Sequence, residues 1–424
     1  MMTGIGLGDP RMLFAAVALF VASAPPALAQ GDVGRTFPSE KMTLADRVTG
    51  RPMVALTSGL HSDAKLYPTH AQWTADGQWI VFRSSNRDSD GPQAFAVNEE
   101  TGIIVQLTDG AGTGTGSLNV ARHSQKIWYM RNDEVGGERR TRLIEVDLAK
   151  LLPDALAGTI KPEGYERVVS TLPKGHREAG GFSMDADEKS AYVGFDAREA
   201  PPRPPGQPVP QVPGGLRAID LATGNVRTVI ETPFRMGHVQ ASPFVSGEIM
   251  YCNETGGDAP QRMFIVKADG TGNRPLYPEG PDDWVTHEQF ADADHVIFNL
   301  MGHTAKLRLR PSGVMVVSLR DGSVQPLGQL PPAAGPRPGG FWHNGVTFDG
   351  RYASADDFAG SVHFIDRRTG KRTLVSTGHR MQPDHAHPSF SADGARILIQ
   401  SGMLTDGKRL VIMVLPVGDL EDPR

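Results

Sequence analysis

The sequence predicts an all-β chain folded as a seven-bladed β-propeller. Two observations carry that expectation. The first is a recurring unit: an aromatic or apolar residue, an Asp-Gly or similar turn, then a short β-rich run. It is clearest in WTADGQWIVFRSS (Trp73–Ser85), VTFDGRYASADD (Val346–Asp357) and FSADGARILIQS (Phe390–Ser401). Looser copies span Phe182–Asp196, Ala241–Glu254 and Phe290–Leu300, and a degenerate copy spans Asn119–Asp133. The second observation is a strand, a Gly turn and another strand after most units. It appears at Asn98–Thr108, Ile219–Ile230, Lys267–Leu276, Leu319–Leu327 and Ile365–Val375. Asp-Gly and Thr-Gly between β-branched runs favour tight hairpins. The unit is thus about four short strands in roughly 45–50 residues, the spacing of propeller blades. The content of 49 Gly and 33 Pro fits many turns rather than long helices.

Seven units can be counted. The last, from His385, ends without its outer strand, whereas VTGRPMVALTSG (Val48–Gly59) is an outer strand with no inner strands before it. The N-terminal strand is therefore expected to complete the last blade and close the ring, which removes the exposed edges of an open sheet. One blade carries an insert of about 200–215, whose seven prolines exclude a central strand. It reads as a stiff surface excursion.

Met12–Ala24 is a short apolar run after Arg11, followed by Ala27-Leu28-Ala29. That layout is a secretory signal peptide, too short to span a bilayer. Residues 1–29 are therefore expected to be removed near Ala29, leaving residues 30–424 as one propeller domain in the periplasm or outside the cell. No other segment approaches the roughly 20 apolar residues of a membrane span. The 43 basic and 48 acidic side chains give a net charge of −5, which argues against nucleic acid as a partner. The single cysteine, Cys252, excludes an internal disulfide framework and a zinc–thiolate cluster. There is no Gly-rich phosphate loop and no GxSxG elbow. No long apolar stripe demands a partner, so a monomer or weak homo-oligomer is expected.

Alignment of the repeats brings out a histidine ring. Three residues before Trp73, Ala241, Phe290, Val346 and Phe390 stand His70, His238, His287, His343 and His387. The chain has 13 histidines in 424 residues, so chance would place fewer than one at seven aligned positions. Equivalent positions in rotated blades lie around the central axis, at the channel mouth. The last unit adds Gln382 and His385 in QPDHAHP, and His385 and His387 at i and i+2 share a strand face. Neutral imidazoles are common ligands of divalent transition metals. His61, His123, His176, His295, His303, His363 and His379 lie off the ring and are read as packing or surface groups.

These residues resemble the oligogalacturonate lyases, the seven-bladed propeller family of pectate lyases. The likeness rests on YPTHAQWTADGQWIVFRSSNRD, on Gly237-His238-Val239-Gln240, on Val285-Thr286-His287-Glu288 and on QPDHAHPSFSADG. It implies a divalent metal such as Mn²⁺ held by His287, Gln382, His385 and His387, with His238 as the base. It also implies an arginine upstream of the base, for which Arg217 and Arg235 are the nearest candidates. His70, His343, Gln240 and Trp284, beside these positions, are candidates for contact with an acidic oligosaccharide. The implied reaction is β-elimination at a 4-linked uronate. Two other readings stay open: a non-enzymatic periplasmic propeller scaffold, and a lyase or hydrolase acting on another uronate-containing glycan. Fold alone does not choose among them.

Overall fold

The computed structural model describes residues 31–420, apart from 86, 88, 90, 175, 198–200, 202–209, 303–312 and 331–339. The expected signal segment and most of the proline-rich insert lie outside the described residues. The rest forms seven antiparallel sheets arranged as a propeller. Blade 1 spans Asp63–Gln106, blade 2 Thr113–Thr171, blade 3 Arg177–Thr232 and blade 4 Met236–Pro275. Blade 5 spans Asp283–Gln329, blade 6 Phe341–Ser376 and blade 7 Ser389–Pro416.

The ring closes as the sequence predicts. The strand Pro52–Ala55 pairs with Val411–Pro416, with Val54 opposite Val414 and Ala55 opposite Met413. A second N-terminal strand, Met42–Ala45, extends blade 7 outward, and Thr36–Phe37 caps the outer edge of blade 1. Three N-terminal strands are thus shared between the first and last blades, where the sequence indicated one.

The core follows from strand alternation. In Trp79–Ser84, the side chains of Trp79 and Val81 join the cluster toward blade 2, and those of Ile80 and Phe82 join the cluster toward blade 7. Successive side chains point to opposite faces, so a strand between two blades must be apolar on both. Seven such clusters fill the seven blade interfaces. Each fully buried Val, Leu, Ile or Phe contributes about 1.5–3 kcal/mol.

Blade 2 contains the α-helix Leu148–Ala157 between its third and fourth strands. The Asp147 side chain caps it by accepting from Lys150 N, and Gly158 ends it in the left-handed conformation, φ 67°. Its buried face, Leu148, Leu151, Leu152 and Ala155, packs into the blade 1–blade 2 cluster.

Buried polar groups pin the last blades together. The His379 ring lies between Ser376 Oγ at 2.8 Å and Ser401 Oγ at 2.9 Å, bridging blades 6 and 7. Burial drives its pKa down to about 4, against the pull of nearby Asp46 and Asp356. The folded protein thus holds His379 neutral where the unfolded chain takes up a proton. Its contribution is whole above pH 6.5 and is lost as pH falls toward 4, by about 3 kcal/mol in all. A His379→Gln variant should show a flatter fall of urea-unfolding stability between pH 6.5 and 4. An equal slope in both proteins would refute the assignment.

Candidate active site

The inner strands break register at one common height. The shift falls between Gly237 and Gln240 in blade 4, between Thr286 and Gln289 in blade 5, and between Phe341 and His343 in blade 6. Blades 2 and 3 shift at Gly114/Asn119 and Glu178/Phe182. In blade 1 the same level is an excursion, Leu66–Ala71, between Lys65 and Gln72. A bulge re-aims side chains that would otherwise alternate regularly. The five aligned histidines occupy this level.

Three of them are held in the left-handed region: His238 at φ 47°, His287 at 54° and His387 at 51°. Only two other described non-glycine residues, Glu188 and Asp406, do the same. Such a conformation costs on the order of 1–2 kcal/mol for an L-residue, and this kind of strain concentrates at functional sites.

Blades 5, 6 and 7 bring four imidazoles together. The ring of His343 stacks on His387 at 3.8 Å and lies 4.1 Å from His287 and 5.2 Å from His385, centroid to centroid. Trp342 walls the group, 4.7 Å from His287, 5.5 Å from His385 and 5.9 Å from Trp284. Beneath lies Asp356, which accepts from His343 N at 2.7 Å and His387 N at 3.1 Å. His343 Nδ1 is 3.1 Å from Asp356 Oδ2. Burial alone would raise the Asp356 carboxyl. The neighbouring His343, the hydrogen bond to it, and His387 and His385 instead hold it far below the usual carboxylate range.

This cluster fits a divalent cation. Donor atoms of His343, Asp356 and His385 lie within 4.8 Å of one another. His287 Nδ1 and His385 Nδ1 are buried with no hydrogen-bond partner among the described residues, a state that costs free energy unless a ligand satisfies it. Burial, reinforced by the neighbouring His343, pushes His287 well below the ordinary histidine value. Burial also lowers His343 and His385. Neutral imidazoles are the form that binds metal. A carboxylate on the far nitrogen of an imidazole, as Asp356 stands to His343, orients the ring and raises its basicity.

The remaining sequence candidates sit as follows. Gln382 is exposed, ahead of His385 on the same loop. His238 stands in blade 4 across the mouth, its side chain 28% exposed to the channel. Tyr67 links the two sides, its ring 5.5 Å from His238 and 5.8 Å from His387. Gln240 is buried and donates to Glu288 O at 2.7 Å, tying blade 4 to blade 5. His70 faces the channel from the blade 1 excursion. Arg217 is laid over the Phe195 ring at 3.9 Å and paired with Glu231 at 2.8 Å. Arg235 begins the His238 segment and lies 3.6 Å from Asp196.

Sequence reasoning missed the charges behind His238. Glu288 is fully buried, with Oε1 3.6 Å from His238 Nδ1 and Oε2 3.2 Å from Arg262 Nε. Glu254 lies 3.7 Å from His238 Nε2 and 4.0 Å from Arg262. Burial lowers the His238 pKa, and Glu288 opposes it. Blades 3 and 4 are pressed together here: a Cβ on Gly180, φ 76°, would lie 2.5 Å from Gly237 Cα. Only glycine fits that position.

A closed propeller with an imidazole cluster at one channel mouth is the class that fold and site define. No family model matches the chain. It is similar to the oligogalacturonate lyase of Dickeya dadantii, with 24% identity over 401 residues, 86% of this chain and 93% of that one. It is also similar to the oligogalacturonide lyase of Pectobacterium atrosepticum, with 22% identity over 414 residues, covering 88% and 96%. Among solved structures, an oligogalacturonate lyase in complex with manganese superposes with a TM-score of 0.74 at 18% identity, covering 91% and 98%. One from Vibrio parahaemolyticus gives 0.75 at 17%, covering 92% and 100%. The resemblance read from the motifs therefore extends over most of the chain, and the propeller is the fold of those structures.

Proposed function

We propose that this protein is a metal-dependent carbon–oxygen lyase that cleaves 4-linked uronates, oligogalacturonates foremost, by β-elimination. One observation carries the reading: a cluster of four imidazoles and a separate, partly exposed histidine, His238, face each other across one mouth. The chain's similarity to two oligogalacturonate lyases supports the same substrate. His287, His385 and His387 would hold the cation, Mn²⁺ by analogy, with Gln382 at the head of the loop and His343–Asp356 alongside. Bound there, it would supply Lewis-acid charge toward the carboxylate of the sugar. His238, neutral at neutral pH, takes the C5 proton. The C5–H electron pair becomes the C4–C5 double bond, and the C4–O bond breaks with its electrons on the leaving oxygen, which takes a proton from solvent water while His238 later returns its own to solvent. Glu288, behind Nδ1, favours the imidazolium that forms. One product carries the 4,5-unsaturated uronate at its non-reducing end, and the other keeps the bridging oxygen on C1 as a new reducing end. The apolar run Met12–Ala24 supports action after export.

The test is an assay of the metal-loaded protein against uronate oligomers, following ultraviolet absorbance of the conjugated alkene. We expect unsaturated product from oligogalacturonate, loss of activity on chelation, and recovery with Mn²⁺. A loaded protein that yields no unsaturated product from any uronate oligomer would sink the reading.

A further inference from the structure

The histidine ring is interrupted in blades 2 and 3. The position held by an imidazole elsewhere is Ser117 in blade 2 and Gly181 in blade 3, flanked by Gly116 and Gly180. A cavity of about 220 Å³ opens there, lined by these glycines and by Tyr67, His70, Arg83 and His238. It adjoins the proposed base, on the side away from the imidazole cluster of blades 5–7.

Arg83 is the unusual group. It stands on the second strand of blade 1, with Ala64 and Ala94 as backbone neighbours. It is partly buried, yet among the described residues its guanidinium makes no hydrogen bond and no ion pair. Three more deeply buried arginines are matched. Arg87 has Glu40 and Asp63, Arg131 has Glu166, and Arg262 has Glu254 and Glu288. The charge of Asp384 favours the ionised form of Arg83 from beyond ion-pair distance. A guanidinium partly out of water with no contacting acid is still costly unless an anion arrives. Its planar fork matches a carboxylate in particular.

We propose that this cavity is a subsite for the uronate unit next to the one being cleaved, with Arg83 binding its carboxylate. The inference rests on the lyase reading above and adds a substrate contact to it. A polyuronate carries one carboxylate per sugar. Laid across the mouth, it meets the imidazole cluster, then His238, then Arg83. Gly181, where a Cβ would meet nothing within 4 Å, and Gly116 beside Arg83 leave room for a pyranose ring where a larger side chain would block it.

The experiment uses Arg83→Gln and, as a second neutral variant, Arg83→Met, each checked for wild-type Tm. Trigalacturonate is the probe, alongside a trimer whose non-reacting carboxylates are methyl esters. Loss of a charge-assisted pair should raise KM for trigalacturonate about 10- to 100-fold. The ester should remove the difference between variant and wild type. Calorimetric Kd of trigalacturonate on the metal-free proteins should weaken by a similar factor. Wild-type KM and Kd in a folded variant would overturn the subsite. Wild-type protein that binds the trimer through Arg83 but releases no unsaturated product would overturn the lyase reading and leave the subsite standing. Wild-type protein that binds no trimer would overturn both.

Discussion

His238→Ala should lower kcat/KM on oligogalacturonate by about 10²–10⁴-fold, the usual worth of a positioned general base, while bound metal stays at the wild-type level. The two outcomes separate because His238 comes from blade 4 and the imidazole cluster from blades 5–7. His238 also sits at φ 47°, where alanine is strained. His238→Asn should accompany it, since asparagine tolerates the left-handed region better. Equal losses in both variants place the defect in the chemistry, not the backbone. The wild-type profile should show an acid limb below the ordinary histidine value, because burial favours the neutral base. Either variant turning over at the wild-type rate would remove His238 from the mechanism. A variant that loses its metal as well would make His238 part of the cation site.

Much of this was legible in the sequence because a propeller writes its symmetry into the chain. The Asp-Gly turns mark each blade, and the bulge level recurs at a fixed offset, so His70, His238, His287, His343 and His387 align without coordinates. What repetition hides is departure from it. Glu288 follows His287 as an ordinary polar residue of a strand. Its counterparts at the bulge are Val239, Asn344 and Pro388, so alignment gives no hint of a buried carboxylate there. Arg262 immediately precedes the third strand of blade 4, Met263–Lys267, far from His238 in the repeat, and is brought beside it by the pairing that begins with Asn253 N donating to Arg262 O. Asp356 looks like the end of a strand until His343 and His387 fold over it. The helix Leu148–Ala157 had a readable signal in its Leu148, Leu151, Leu152 and Ala155 spacing, capped by Asp147 and Gly158. The strand periodicity sought everywhere else masked it. His343, read as a substrate contact, lies at the centre of the imidazole cluster, because stacking between blades is invisible to a one-dimensional alignment.

Arg262→Met should cost about 3–5 kcal/mol in urea unfolding, the usual penalty for breaking a buried ion pair from one side. The Arg262 side chain is 5% exposed and Glu288 is 0% exposed, with 3.2 Å between them. In the wild-type protein burial would raise the Glu288 pKa, but the Arg262 and His238 charges bring it below the ordinary value. The ionised carboxylate therefore supports the fold above about pH 4.5 and weakens it as acid protonates it. Removing Arg262 leaves the burial effect facing only His238 and a backbone hydrogen bond, so the Glu288 pKa rises. The sign of the pH dependence then reverses: Arg262→Met should gain stability on acidification through that raised pKa, where the wild-type protein does not. Adding Glu288→Gln should recover part of the loss, because the orphaned charge disappears with its partner. Methionine fills the aliphatic space of the arginine stem, so a cavity does not explain the same pattern. An Arg262→Met protein as stable as wild type, or a double variant no better than the single, would show that the pair is not what holds blades 4 and 5 together behind His238.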